Sequence, residues 1–141
     1  AEYLVTRVLA YCLEYREGIA FAAGGVSDAE EPAVLVRDLT GRIVTWIEIG
    51  FPDAGRLHRA SKLAERVAVY SHRDLRNLLP QLRERKIHRA HEIPIYTFGK
   101  GFIDALVVTL ERRTRWTMSV NERHLYLNHL ETVVEEVRIE N

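Results

Sequence analysis

The 141-residue sequence has a single cysteine, no long apolar run and no excess of either charge. With Cys12 as the only thiol, no internal disulfide can form. No apolar stretch approaches the ~20 residues that a membrane-spanning helix needs. No basic segment followed by an apolar stretch opens the chain, so nothing in it signals secretion. These absences predict a cytoplasmic protein with no membrane partner.

Twenty basic and twenty acidic side chains give a net charge of zero, which argues against non-specific coating of nucleic acid. The charge is nevertheless uneven, because residues 56–89 hold ten basic and three acidic residues, an excess of seven positive charges. Such a stretch predicts a surface that faces phosphate groups, and a pair of solvated, charged helices is the alternative. The candidate nucleic-acid contacts are Arg56, Arg59, Arg66, Arg73 and Arg76.

The pattern of apolar residues predicts a mixed β-sheet flanked by helices. Apolar spacings of three and four residues predict helices over 2–16 and 54–65, and Asp53 is a suitable N-cap for the second. The short connection at 38–41 requires an antiparallel hairpin, and the helix after it returns the chain to a parallel strand. The predicted strands are 19–23, 33–37, 43–49 and 67–71.

The second half of the chain predicts a mixed extension of this sheet. We expect a charged helix over 73–86 that is interrupted at Pro80, a strand over 93–98 and an amphipathic helix over 101–111. The tail alternates on both sides of a turn at 121–122, which is typical of a hairpin. No internal repeat, linker or low-complexity segment is present, so residues 1–141 are expected to form one domain of the α/β (α+β) class.

Glu48 is the most informative residue for function. In strand 43–49 it shares a face with Val44 and Trp46, and a carboxylate in a central strand is costly to bury without a partner. It therefore predicts a bound metal ion, a cation or an exit to water at the strand end, and an arginine partner is the structural alternative.

Glu31 precedes the neighbouring strand, and a tight hairpin brings it to the same sheet edge as Glu48. Two converging carboxylates form a minimal Mg²⁺ site, and Glu30 is an adjacent alternative ligand. A solvated acidic loop is the alternative for both residues before the strand. On the next helix, Lys62 could orient a hydrolytic water beside such a metal, with Arg59 on the same side of the helix; a surface lysine is the alternative.

Several segments of the sequence resemble the YaeQ family: RVLAYCLEY, EEP…LVRDLTG, WIEIGFPD and HRASKLAERVAVYSH. The resemblance spans essentially the whole chain and is most specific over 31–70, and comparison with the family pattern leads us to expect that its N-terminal strand segment is missing. It implies a PD-(D/E)XK nuclease-like core, with the order helix, three strands, helix, strand. It also implies that Glu48 is the family's acidic residue and that Glu30 and Glu31 are the acidic pair before the proline.

The same resemblance shows where the chain departs from the nuclease pattern. Ala33 stands where the family usually has an acidic residue, and Gly50 stands where the nuclease motif has its lysine. The usual family lysine aligns with Arg59, which leaves Lys62 one turn further on. The first-helix glutamate of many such nucleases corresponds to Glu2.

These residues support two hypotheses. The first is a weak or degenerate Mg²⁺-dependent phosphodiester hydrolase acting on nucleic acid, in which Glu31 and Glu48 hold Mg²⁺ and Lys62 orients water. In that hypothesis Glu2, Glu30 and Arg59 support the site. The second is a catalytically inactive module that binds nucleic acid or a protein partner. Convergence of Glu31, Glu48 and Lys62 within coordinating distance would favour the first.

Overall fold

A computed structural model describes residues 1–22, 31–111 and 114–139 of the chain. Its nine strands are, in chain order, β1 (Ile19–Phe21), β2 (Val34–Arg37), β3 (Ile43–Ile49), β4 (Arg66–Ser71), β5 (Pro94–Thr97), β6 (Met118–Asn121), β7 (His124–Leu127), β8 (Leu130–Val133) and β9 (Glu135–Arg138). Its helices are α1 (Glu2–Leu13), α2 (Ala54–Leu63), α3 (Leu75–Arg83) and α4 (Phe102–Val108), with a 3₁₀ turn at Ala90–Glu92. In these ranges no helix is long and apolar enough to cross a membrane.

The main sheet has six strands in the order β1-β2-β3-β4-β5-β9, and it is mixed, as predicted. The three strands β1, β2 and β3 pair antiparallel, whereas β3, β4 and β5 run parallel and β9 pairs antiparallel with β5. The predicted hairpin places Val34 opposite Ile47. Helix α2 then makes the crossover that a parallel β3–β4 pair requires.

Helices pack on both faces of this sheet, because β3 alternates its side chains between two apolar clusters. Trp46 joins Leu57 of α2 and Leu78 of α3 in one cluster. Ile47 lies on the other face, in the cluster that includes Ala10 of α1. The sheet is therefore buried on both sides around β3, which leaves a charged side chain on that strand no route to water except at the strand end.

The second half of the chain departs from the predictions in three places. Helix α3 continues through Pro80 instead of breaking there. The hairpin of β6 and β7 is confirmed, but β8 adds a third strand to it and makes a separate small sheet. The last strand, β9, was not predicted, and it covers the edge of the main sheet beside β5. Ala23, the last residue of the predicted first strand, lies outside the described residues.

Candidate functional site

The carboxylate of Glu48 lies at the exit of β3 and is only 5% exposed. Its Oε1 atom accepts a hydrogen bond from Nε1 of Trp46 at 2.6 Å and another from Nε of Arg56 at 2.7 Å. The first bond confirms that Trp46 and Glu48 share one face of the sheet. The second supplies the positive charge that a buried carboxylate needs. The arginine alternative for Glu48 is therefore the one that the structure contains.

Local helix geometry delivers Arg56 to this carboxylate. Asp53 caps α2, since its Oδ1 accepts a bond from the main-chain N of Arg56 at 2.7 Å. The Arg56 side chain leaves the first turn, lies 6.0 Å from the centre of the Trp46 ring and donates from Nη2 to the carbonyl oxygen of Glu31 at 2.7 Å. Arg56 was predicted to contact nucleic acid, but its side chain is one-fifth exposed and belongs to this internal ion pair.

The hairpin brings Glu31 and Glu48 to the same sheet edge, but the group between them is a guanidinium. Glu31 contributes its main-chain oxygen to Arg56, and Glu48 contributes a carboxylate oxygen. Glu30, the alternative ligand, lies outside the described residues. Across the three described ranges, no group of three or more His, Cys, Asp or Glu residues is arranged to hold a metal ion.

Lys62 does not join these acids. It lies in the last turn of α2, six residues beyond Arg56, which is ~9 Å further along the helix axis. Its side chain is exposed, and the same is true of Arg59, whose guanidinium lies near Gly55. The convergence of Glu31, Glu48 and Lys62 that would favour hydrolysis is not present in this structure.

Ala33 faces the interior. Its side chain is 7% exposed and belongs to the cluster that includes Ala10 and Ile47. Its carbonyl oxygen accepts a hydrogen bond from Nε of Arg7 at 3.1 Å. The position that the family resemblance assigned to an acid is therefore packed against α1.

Glu2 lies in the first turn of α1, beside a depression at the carboxyl ends of β3 and β4 that is also lined by His72 and Arg73. Gly50 lies here too, with φ of +96°, and a Cβ on it would be 3.7 Å from the His72 ring. The Nδ1 atom of His72 is buried and has no hydrogen-bond partner in the described part of the chain. Desolvation lowers the pKa of His72. Sequence analysis missed this histidine because it follows β4 in a turn and has no ligand-like spacing.

Arg66 was also predicted to contact nucleic acid. It lies on the face of the sheet opposite Trp46 and Glu48, where its side chain makes contacts within the protein. Its guanidinium pairs with Glu14 at the end of α1. The hydroxyl of Tyr70 donates to the same carboxylate at 2.6 Å, and Tyr96 lies 3.4 Å from the Arg66 guanidinium. Burial and the neighbouring Glu14 carboxylate raise the pKa of Tyr70. This network ties α1 to β4 and β5.

The remaining two predicted arginines lie around the start of α3. Arg76 pairs with Asp74, the N-cap of that helix, at 2.6 Å. Arg73 is exposed, and its main-chain N is held by Oγ of Ser71 at 3.1 Å. Of the five predicted arginines, Arg56 and Arg66 are paired with internal carboxylates and Arg76 with the exposed Asp74, whereas Arg59 and Arg73 project from different elements.

Comparison with known proteins identifies relatives of the whole chain. The sequence model of the family described as YaeQ protein matches residues 1–137. The crystal structure of the YaeQ protein from Pseudomonas syringae is similar with a TM-score of 0.86 and 26% identity, over 96% of this chain and 77% of that one. The YaeQ protein from Xanthomonas axonopodis pv. citri has the same fold, with a TM-score of 0.74 and 20% identity over 99% and 80% of the two chains. Comparison with curated proteins gave no match.

Proposed function

Since the chain belongs to the YaeQ family, we propose that it keeps a PD-(D/E)XK nuclease-like core and binds nucleic acid without cutting it. The order of α1, an antiparallel group of three strands, α2 and the parallel strand β4 supports that core. The fold class alone does not decide the activity, so the proposal depends on the residues at the site.

The position of Arg56 carries the proposal. A hydrolytic Mg²⁺ would need charged oxygen ligands at the edge where Glu31 and Glu48 meet. Oε1 of Glu48 already accepts a bond from Arg56 and another from Trp46. A metal ion would have to displace the guanidinium, and breaking a buried ion pair is strongly unfavourable. No lysine replaces Arg56 there, because Lys62 lies at the far end of α2.

The charge that remains on the surface favours nucleic acid as the ligand. Arg56 and Arg66 are used in internal pairs, and Arg76 is paired with Asp74 on the surface. Several other cations of α2, α3 and their connections are exposed and have no ion-pair partner within the described ranges: Arg59, Lys62, Arg73, Arg85 and Lys86. Exposed cations that lack partners attract the phosphate backbone and release its counterions on binding.

A Mg²⁺-dependent phosphodiester hydrolase is the second candidate function. One observation favours it: the register of β2 and β3 brings Glu31 and Glu48 to a common edge. For hydrolysis, Arg56 would have to leave Glu48 when metal and substrate bind. The two candidates therefore differ in whether a divalent ion binds at Glu48.

Binding and cleavage measured on the same preparation test the proposal. We expect labelled duplex DNA, single-stranded DNA and RNA to bind at ~50 mM salt in fluorescence anisotropy, with log affinity falling linearly as log salt rises. In Mg²⁺ or Mn²⁺, plasmid nicking by the wild type should not exceed that of Glu48→Gln, which lacks the carboxylate charge. Metal-dependent nicking that disappears in Glu48→Gln would establish the hydrolase instead. No binding at tens of micromolar protein would contradict the proposal and favour a protein partner.

A further inference from the structure

Four basic side chains lie close together at the C-terminal part of α2 and in the segment that follows α3. They are His58, Lys62, Lys86 and His88. We call this cluster the α2-end patch. The side chains of Lys62, Lys86 and His88 are exposed, and that of His58 is half-buried. The main-chain N of His88 donates to Nδ1 of His58 at 3.0 Å, so the two segments are joined directly.

Arg89 fixes the geometry of the α2-end patch. It has φ of 53°, and its guanidinium donates to the carbonyl oxygens of Ser61 at 2.6 Å, Ala64 at 2.7 Å and Glu65 at 2.9 Å. The last carbonyls of a helix have no partner within the helix, so these bonds close the end of α2. His88 directly precedes Arg89. The three bonds from Arg89 therefore hold the segment that contains Lys86 and His88 beside the end of α2, which contains His58 and Lys62.

Lys62 and Lys86 supply the positive charge of the α2-end patch. Desolvation and the positive charges of Lys62, His88 and Lys86 lower the pKa of His58. The carboxylate of Glu65, three residues after Lys62, is 3.8 Å from Arg42. Like charges held close together repel each other, and an anion that spans them relieves that repulsion.

We propose that the α2-end patch is the surface that holds the sugar–phosphate backbone of a nucleic acid. The inference rests on the proposed function and names the surface that carries it. Residues 57–63 and 83–91 contain no Trp, Tyr or Phe, so this surface lacks the large aromatic rings on which bases stack most strongly. Contacts to phosphates alone give binding that is independent of sequence. Lys62 of the patch lies six residues beyond Arg56 on α2, so a phosphate bound at Lys62 is ~9 Å further along the helix axis from the turn that holds Glu48.

A pair of double variants with equal loss of charge tests the assignment. Lys62→Ala with Lys86→Ala removes two charges from the patch, and Lys100→Ala with Arg115→Ala removes two exposed charges elsewhere. The slope of log affinity against log salt should become shallower by about 1 for each phosphate-bound lysine, hence by about 2 for the patch variant. The control variant should keep the wild-type slope. Thermal unfolding of all three proteins checks that they are folded.

Three results would count against this assignment or what it rests on. If the patch variant keeps the wild-type slope while the control loses it, the backbone binds elsewhere and the patch is wrong, although the proposed function stands. If the wild type binds no nucleic acid, the proposed function itself fails. If polyglutamate binds the wild type as tightly as DNA at the same salt, and the patch variant weakens both equally, the patch is a surface for acidic proteins.

Discussion

The guanidinium of Arg56 lies 2.7 Å from the carboxylate of Glu48, and it provides the positive charge for an acid in the middle of the sheet. Glu48 is on β3 and Arg56 is in the first turn of α2, so the pair links the crossover helix to the strand that precedes it in the chain. The pair also occupies the edge at which a metal ion was expected. Its energetics therefore matter for both stability and function.

We predict that Glu48→Ala lowers the free energy of unfolding by about 3–5 kcal/mol, because it leaves a partly buried guanidinium without its partner. Glu48→Gln should cost less, since its amide oxygen can still accept from Trp46 and Arg56. Urea denaturation measures both. The control is Glu65→Ala, which breaks a pair with Arg42 whose side chains are 66% and 60% exposed, and it should cost about 1 kcal/mol or less. Equal losses for the alanine variants at 48 and 65 would contradict the prediction.

The strand that carries Glu48 was predictable from sequence because it is a run of seven residues rich in β-branched and aromatic side chains. All of β3 alternates around a buried sheet, and the predicted bounds of 43–49 match the structure. The need for a partner was also visible, because a carboxylate beside Trp46 cannot be buried alone. Which cation would meet it was not, since Arg56 and Arg59 both follow within one helical turn of each other. The choice depends on Asp53, which sets the start of α2 and so the direction of the Arg56 side chain.

The strands that were missed have weak patterns for a physical reason. The strand β9 pairs with β5 alone at the edge of the sheet, and Val137 is its one apolar residue. An edge strand needs little burial, so its sequence can remain charged.

Helix α3 was expected to break at Pro80, but that side chain is exposed. The carbonyl oxygen of Arg76, which loses its helical partner to the proline, can then be satisfied by water.

We predict that Tyr70 makes the protein less stable in alkali. Its pKa in the folded protein is raised above the ordinary value of 10.0 by burial and by the Glu14 carboxylate. The unfolded state therefore loses the phenol proton first, so this contribution to stability is complete below pH ~10 and declines by about 1.4 kcal/mol per pH unit above it.

Tyr70→Phe isolates that contribution. The difference in unfolding free energy between the wild type and this variant should be constant from pH 8 to 9 and should shrink as the pH rises past ~10. Tyr15→Phe, which removes an exposed hydroxyl, is the matched loss of one phenol. A difference that does not change with pH would show that Tyr70 ionises equally easily in the folded and unfolded states.

Two glycines with the same backbone conformation provide a third prediction. Gly18 has φ of +92° and Gly41 has φ of +89°. A Cβ on Gly41 would meet nothing within 4 Å, whereas one on Gly18 would lie 2.1 Å from the carbonyl oxygen of Arg37. Gly41→Ala should cost about 1–2 kcal/mol for the left-handed backbone alone.

Gly18→Ala should cost more than Gly41→Ala, because the backbone before β1 and the backbone at the end of β2 must also move apart. That movement would break the 3.0 Å hydrogen bond from the main-chain N of Arg37 to the carbonyl oxygen of Gly18. Thermal and urea unfolding of the two variants give the comparison directly. Equal losses would mean that the close approach of Gly18 and Arg37 does not contribute to stability.

The last prediction concerns Ala33, where the family resemblance implies an acidic residue. Restoring that acid by Ala33→Asp would place a carboxylate in the buried cluster with Ala10 and Ile47, so we expect a loss of about 1–3 kcal/mol instead of a gain in metal binding. The control is Asn77→Asp on the exposed side of α3, which should change stability by no more than about 0.5 kcal/mol. The measurements are urea denaturation with and without Mg²⁺ and calorimetric titration with Mg²⁺. Because Arg56 still holds Glu48 in this variant, Mg²⁺ should not restore its stability. Mg²⁺ binding by Ala33→Asp that is lost when Glu48→Gln is added would show that the site can accept a metal, and the proposal of a binding protein that does not cleave would fail.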